Sequence, residues 1–151
     1  HLGEKQKYGK TQLWQESCRV PLMVKVPGVT LKNKKSMGVV NLIDMYPTLL
    51  DLCSLPENPE NEGRSFADLI RNPDMDWSEP TLSDYGYGGH RIYDGRYCYI
   101  VFSGKGTEEL YDHQTDPMEW HNLVSNPEYA EVKARLKSYV PSEREPESPL
   151  N

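Results

Sequence analysis

The sequence predicts an α/β fragment followed by an α+β unit: the edge of a larger α/β body over residues 1–55, and a small antiparallel sheet with a covering C-terminal helix over 77–140. Three observations carry this. Residues 20–26, Val-Pro-Leu-Met-Val-Lys-Val, form a short apolar run with no strand-like neighbour nearby in sequence. Residues 90–102 show a strand, an Asp-Gly turn and a second strand. Asn126-Pro127 then opens an amphipathic helical stretch, with Asn as cap and Pro at the first helical position.

Taken in order, residues 1–17 are polar and punctuated by Gly, with Leu2, Leu13 and Trp14 as apolar anchors, and read as a surface loop with one helical turn. Residues 20–26 read as a strand buried on both faces of a parallel sheet, closed by Pro27-Gly28. The basic stretch 31–35 supplies no partner for it. Residues 39–52 have helical spacing, with Leu42, Ile43, Tyr46, Leu49, Leu50 and Cys53 on one stripe. Pro47 is tolerated there if Asp44 caps the helix, because first-turn N–H groups have no helical acceptor anyway. Residues 56–76 read as a linker with a short helix at 65–71, stopped before Pro73.

Strand spacing takes over at Thr81. Residues 85–89, Tyr-Gly-Tyr-Gly-Gly, read as a flexible aromatic loop. A hairpin follows, with Asp94-Gly95 supplying the positive φ angles of a type I′ turn. Residues 109–111 make a further strand. In the last helix Tyr129, Val132, Leu136 and Tyr139 share a face. Glu128 and Glu131 lie in its first turn, and Arg135 and Lys137 near its end, as the helix dipole favours. The tail 141–151, rich in Pro, Glu and Ser, is predicted to be disordered.

The chain of 151 residues carries a formal charge of −6. That balance argues against nucleic acid, whose phosphates reward clustered Lys and Arg. No apolar run approaches the ~18 residues of a membrane helix, no signal peptide is visible, and no repeat occurs. Cys18, Cys53 and Cys98 are odd in number and widely spaced, so they read as buried thiols rather than a disulfide framework.

No complete catalytic set is present. Asp112-His113 with Asp116, Glu119 and His121 offers metal-ligand chemistry, but Asp116-Pro117 is ordinary turn chemistry and no matching cluster occurs elsewhere. Residues 86–89 do not join a strand to a helix, so they do not read as a phosphate cradle. Tyr85, Tyr87 and His90 do suit a sugar: flat faces, hydroxyls and a polar ring, among glycines that allow close approach.

Three blocks resemble the formylglycine-dependent sulfatases in family order. The first is Leu2-Gly3-Glu4-Lys5, Gly9-Lys10, Leu13-Trp14, Arg19-Val20-Pro21-Leu22 and Pro27-Gly28. The second is Asp44 with Pro47-Thr48-Leu49-Leu50-Asp51-Leu52. The third is Glu109-Leu110-Tyr111-Asp112, Asp116-Pro117, Glu119 and Asn122-Leu123. The first and last look most like the iduronate-2-sulfatase-like branch.

The resemblance implies the C-terminal edge of an alkaline-phosphatase-like sulfatase domain. It also implies a mechanism for the intact protein. A Cys or Ser in a Cys/Ser-x-Pro-x-Arg motif becomes formylglycine, whose hydrate attacks sulfur while a divalent cation, usually Ca2+, neutralises the sulfate oxygens. Neither Cys18 nor Cys53 fits that motif. The nucleophile and the metal carboxylates are therefore expected upstream of His1, with no metal ligand in this chain and no turnover by this chain alone. Lys10 matches the family lysine that reaches the sulfate. His1 stands beside the family's metal loop and is a candidate to touch substrate, as are Tyr87 and His90, whose hairpin lies near the family's pocket mouth.

The implied partners are a sulfated saccharide or other sulfate ester and the upstream part of the same protein. The implied location is exported: periplasmic, extracellular or lysosomal. Two rival readings stand beside this one. A phosphodiesterase or phosphonate hydrolase of the same superfamily would differ at the nucleophile. A non-catalytic interaction module reusing the C-terminal sheet would leave the strand expected at 20–26 without a sheet.

Overall fold

The computed structural model describes residues 1–142. Its helices are α1 (Gln15–Cys18), α2 (Met45–Leu52), α3 (Ala67–Arg71) and α4 (Ala130–Lys137). Its strands are β1 (Thr81–Tyr85), β2 (Gly89–Tyr93), β3 (Tyr97–Phe102) and β4 (Thr107–Asp112). Two compact units emerge: His1–Val20 together with the chain from Leu82 onward, and Pro21–Thr81. This division differs from the boundaries expected near residues 55 and 77. The reason is that residues 1–18 are one of the covers of the sheet.

The sheet of the first unit runs in sequence order, β1-β2-β3-β4. Period-two alternation along β3 sends Tyr99 and Val101 to one face and Cys98 and Ile100 to the other. On the first face Tyr99, Val101, Ile92 and Leu110 enclose Leu136 of α4, with Val132 and Tyr129 packed around it. On the second, Cys98, Ile100 and Tyr111 meet Leu13, with Trp14 alongside. β3 is therefore covered on both sides: by α4, as expected, and by the N-terminal segment, which was read as a surface loop.

The β2–β3 hairpin forms with Tyr93 opposite Cys98. It does not use a type I′ turn. Only Gly95 has positive φ, and the Asp94 carboxylate instead accepts the N–H groups of Arg96 and Tyr97 at 2.9 and 2.6 Å. The open edge of β4 is strapped by Asn122-Leu123. The Asn122 side chain accepts the Leu110 N–H at 2.9 Å, and the Leu123 N–H donates to the Leu110 carbonyl at 2.8 Å. In the last helical stretch Asn126 caps Glu128 N–H at 3.0 Å, ahead of a 3-10 turn Pro127–Tyr129. Tyr139, expected on the buried face, is exposed, and Val140 packs on the core instead.

The second unit holds a core of Phe66, Leu69 and Ile70, ringed by Val26, Val29, Val40, Leu52, Met75 and Trp77. Its α2 is preceded by a 3-10 turn, Leu42–Asp44, closed by a capping box between Asn41 and Asp44. The Asp44 carboxylate also accepts the Arg64 N–H at 2.9 Å, and Thr48 Oγ1 accepts the Phe66 N–H at 3.0 Å. Residues 20–26 are not a strand; Met23 is 92% exposed. A doubly buried strand needs hydrogen-bonded neighbours on both edges, and none lies beside it among the described residues. The α2 stripe is also turned outward. Leu42, Ile43, Tyr46 and Leu49 are exposed, while Thr48 and Leu52 face the core.

The thiols are free, and Cys53 is exposed where a buried group was expected; Cys98 is buried. Among the described residues no helix is long and apolar enough to cross a membrane. Of the tail expected to be disordered, residues 143–151 lie outside the described residues.

Candidate functional site

The N-terminal segment reaches its place on the sheet through backbone geometry that few residues accept. Gly3 has φ 130°, and Lys5 and Gln6 have φ 52° and 58°. This tight 3-10 turn brings Leu2 opposite Tyr8 and lets the Gly9 N–H reach the His1 carbonyl at 3.0 Å. Lys10 follows this closed loop. Its side chain is exposed and makes no hydrogen bond or ion pair with the described residues.

Both flanks of Lys10 are tied to the sheet. Lys5 Nζ lies 4.6 Å from the Trp14 ring and 4.4 Å from the Tyr111 ring, and donates to Tyr111 Oη at 3.1 Å. Burial lowers its pKa, against the pull of Glu119, Glu109 and Asp116. Trp14 Nε1 donates to Glu109 Oε2 at 2.8 Å, and so does Tyr111 Oη. Burial and the Glu109 carboxylate raise the Tyr111 pKa. Gln15 is held twice: its N–H donates to Glu119 Oε2 at 2.9 Å, and its Oε1 accepts from Arg91 Nη2 at 2.6 Å.

Glu119 is itself buried and has φ 58°, a left-handed turn that aims its carboxylate inward. His113 Nε2 lies 2.9 Å from Glu119 Oε1. Burial pushes the Glu119 pKa up, but His113, the Gln15 N–H, the Cys98 thiol and the Arg91 charge outweigh it and hold the group low. Burial pushes the Cys98 thiol well up. Cys98 is thus a neutral donor within this network.

The remaining candidates fall in different settings. The His1 ring is buried, edge-on to Trp14 with centroids 5.5 Å apart, and Nδ1 lies 3.5 Å from Glu16 Oε2. It is therefore an anchor of the segment rather than a group presented to solvent. Tyr87 sits on the turn between β1 and β2 and is 53% exposed. His90 is buried on β2, with Nδ1 2.6 Å from Asp84 Oδ1 on β1. Its Nε2 is buried without a hydrogen-bond partner among the described residues. Tyr87 and His90 thus share one hairpin, while Lys10 and His1 share the N-terminal segment.

Two clusters among the described residues have metal-ligand chemistry: Cys98, His113 and Glu119, and His1, Glu4 and Glu16. Neither fits a hard divalent cation, which takes about 6–8 oxygen ligands. The first offers one carboxylate, already engaged by His113 and Gln15, beside the cationic Arg91. The second offers two carboxylates, and that of Glu4 already accepts the Leu2 N–H.

The sequence offers Glu119 as a possible ligand and as part of the third block, and it marks neither Arg91 nor Gln15. Their partners lie far along the chain, so no local pattern marks them.

Residues 3–145 match the family described as N-sulphoglucosamine sulphohydrolase, C-terminal. The chain belongs to this family. A sulfatase of Formosa agariphila is 32% identical over 140 residues, covering 93% of this chain and 27% of its own length. A Delta 4,5-hexuronate-2-O-sulfatase of Bacteroides thetaiotaomicron is 30% identical over 141 residues, covering 84% of this chain and 29% of its own length. The chain thus spans somewhat over a quarter of these relatives. A structure solved in complex with its substrate D-glucosamine-2-N,6-O-disulfate superposes with a TM-score of 0.82 at 23% identity, over 93% of this chain and 31% of that one. The fold is that of the C-terminal part of an alkaline-phosphatase-like sulfatase, as the three sequence blocks implied. The hexuronate-2-O-sulfatase relative agrees with the iduronate-2-sulfatase-like branch.

Proposed function

We propose that the protein containing this chain hydrolyses sulfate esters of saccharides, and that the chain brings Lys10 to the sulfate and the Tyr87 turn to the sugar. The observation that carries this is the family match over residues 3–145, within which Lys10 stands free on a loop tied down at both flanks. A lysine ammonium is a compact charge able to stabilise negative charge growing on a sulfate oxygen or on the leaving alkoxide. Relatives named for ulvan, hexuronate and choline sulfates direct the reading to sulfate esters, with saccharides foremost.

On the sugar side, Tyr87 supplies an exposed flat ring and hydroxyl. His90 braces the turn below through Asp84 and keeps Nε2 for a further hydrogen bond. His1 supports the Lys10 loop by packing on Trp14. The cation of the intact enzyme, Ca2+ in this proposal, is held by residues upstream of His1 and would neutralise sulfate oxygens. Export to the periplasm, the exterior or the lysosome remains part of this proposal by family resemblance.

The test uses the intact protein and follows sulfate release from a 2-O-sulfated unsaturated hexuronate disaccharide. Lys10→Ala should lower kcat on the order of a hundredfold, with an unchanged melting temperature. Near wild-type kcat in that variant would return Lys10 to the ordinary surface lysines. Cleavage of a phosphonate monoester with no sulfate release would replace the sulfatase reading.

A further inference from the structure

We propose that Arg91 and Gln15, backed by Glu119, form a clamp through which the C-terminal sheet positions the loop that carries Lys10. The catalytic part of this inference rests on the Lys10 reading above; the clamp itself does not.

The argument starts from what Lys10 lacks. Its own side chain has no partner among the described residues, and it sits in an exposed stretch, residues 6–11. Within that stretch the backbone bonds are local, such as Gln12 N–H to the Lys10 carbonyl at 2.8 Å. A long side chain on such a loop holds a reacting geometry only if the ends of the loop are fixed by something rigid.

Both ends are fixed, at equal distance from Lys10 along the chain. Five residues before it, Lys5 is seated between the Trp14 and Tyr111 rings. Five residues after it, Gln15 is fixed at two atoms. The groups that hold Gln15 belong to the sheet unit. Arg91 is on β2, and Glu119 lies in the turn that follows β4.

Arg91 is an expensive way to hold a loop if packing were all that was needed. It is 3% exposed, its Nε has no hydrogen-bond partner among the described residues, and its Cζ lies 4.7 Å from the Tyr93 ring. A buried charge costs several kcal/mol to desolvate, and an apolar replacement of similar volume is often as stable or more so. What an apolar side chain does not supply is a directional bond to Gln15 Oε1. A buried guanidinium aimed at one amide oxygen specifies where α1 begins, and so where the loop before it ends. Glu119 fixes the same point from the backbone side and places its negative charge near Arg91.

The experiment uses the intact protein with Gln15→Met, which keeps side-chain volume and removes the acceptor, and Arg91→Met, which removes the donor. Each is made alone and in the Lys10→Ala background. Arg91→Lys tests whether a charge without the fork restores function. The expected result is a kcat about tenfold lower for Gln15→Met, with KM and melting temperature little changed, and partial recovery in Arg91→Lys relative to Arg91→Met. In the Lys10→Ala background the same Gln15→Met change should cost less than twofold, because the group being positioned is gone. Equal losses in both backgrounds would show a general structural effect and overturn the positioning role.

A second readout needs no turnover. Tryptic cleavage of the folded protein after Lys7 and Lys10 should accelerate in Gln15→Met at unchanged melting temperature, and wild-type protection in both clamp variants would overturn the clamp. If the intact protein releases no sulfate at all, the sulfatase reading fails while proteolysis still decides the clamp. If Lys10→Ala keeps wild-type turnover, the catalytic part of the inference falls together with the Lys10 reading.

Discussion

The carboxylate of Glu119 accepts the backbone N–H of Gln15 at 2.9 Å, across 104 residues of chain. The same side chain meets His113 on its other oxygen and lies within the reach of the Cys98 thiol. One buried acid therefore joins the N-terminal segment, β3 and the turn after β4.

Removing it should be costly. Glu119→Ala leaves the Gln15 N–H, the His113 ring and the Cys98 thiol without this acceptor, and removes a negative charge that interacts with Arg91. The expected loss is about 3–5 kcal/mol, read as a lowered urea midpoint of the intact protein. Glu119→Gln, which keeps an acceptor oxygen, should lose less. A Glu119→Ala midpoint within error of wild type would show that the network contributes nothing to stability.

The sheet should weaken in acid through Glu108. Lys133 and Lys137 hold its carboxylate, burial opposes them, and the Tyr99 hydroxyl donates at 2.8 Å; together they lower its pKa to about 2. A depressed acid pKa gives stability that is complete above the unfolded value and lost as protons bind the folded state. The loss should therefore run from about pH 4.5 down towards pH 2, at about 1–2 kcal/mol after allowance for solvent screening. Stability measured against pH should fall less steeply across that window in a Lys133→Met, Lys137→Met double variant. An unchanged slope would remove Glu108 as a source.

Two glycines should respond very differently to a methyl group. A Cβ on Gly89, the first residue of β2, would lie 2.4 Å from the Tyr85 carbonyl oxygen and 3.1 Å from the Phe102 ring. Backbone at that distance has to move, so Gly89→Ala should cost about 1–3 kcal/mol. A Cβ on Gly104 meets nothing within 4 Å. Gly104→Ala should be neutral within about 0.5 kcal/mol. Equal thermal shifts for the two would contradict the close approach of the β1–β2 turn.

Specificity should separate Tyr87 from His90. Tyr87 is exposed, so Tyr87→Ala should lower kcat/KM for a sulfated saccharide, spare a small aryl sulfate and leave the melting temperature alone. His90 is buried against Asp84, so His90→Ala should lower the melting temperature as well. Equal losses on both substrates in Tyr87→Ala, with a lowered melting temperature, would make Tyr87 a cover for the sheet rather than a contact for sugar.

Much of the second half of the chain was legible because its signals are local. The β2–β3 hairpin, the Asn126-Pro127 cap and the Leu136 face each lie within one short stretch of chain. Even there Asp94 behaved differently from a simple Asp-Gly reading, since its carboxylate found two N–H groups and removed the need for a second positive φ. The first half was harder. Residues 20–26 and the Leu42–Leu49 stripe declare an appetite for burial but not what satisfies it, and here residues 20–25 and most of the stripe face outward, with only Val26 reaching the core. The clamp on Gln15 was invisible, because an Arg at 91 and a Glu at 119 carry no mark of a partner at 15. Lys10 is singled out only by the resemblance of its block, since nothing in the composition around it separates it from Lys7.

The split ancestry of the sheet unit in sequence has a consequence for how the chain reaches its fold. The β hairpins close over turns of a few residues and can form as soon as both strands exist, on a timescale of about microseconds. Residues 1–20 are made well before these hairpins. Their seats on Tyr111, Glu109 and Glu119 are translated roughly a hundred residues later, at about 5–20 residues per second. The segment thus waits several seconds after its own synthesis before these seats exist. Contacts of such long range slow folding by the entropy of closing the intervening chain. The loop that carries Lys10 is accordingly tied down only after the strands and turn that hold its flanks have been made.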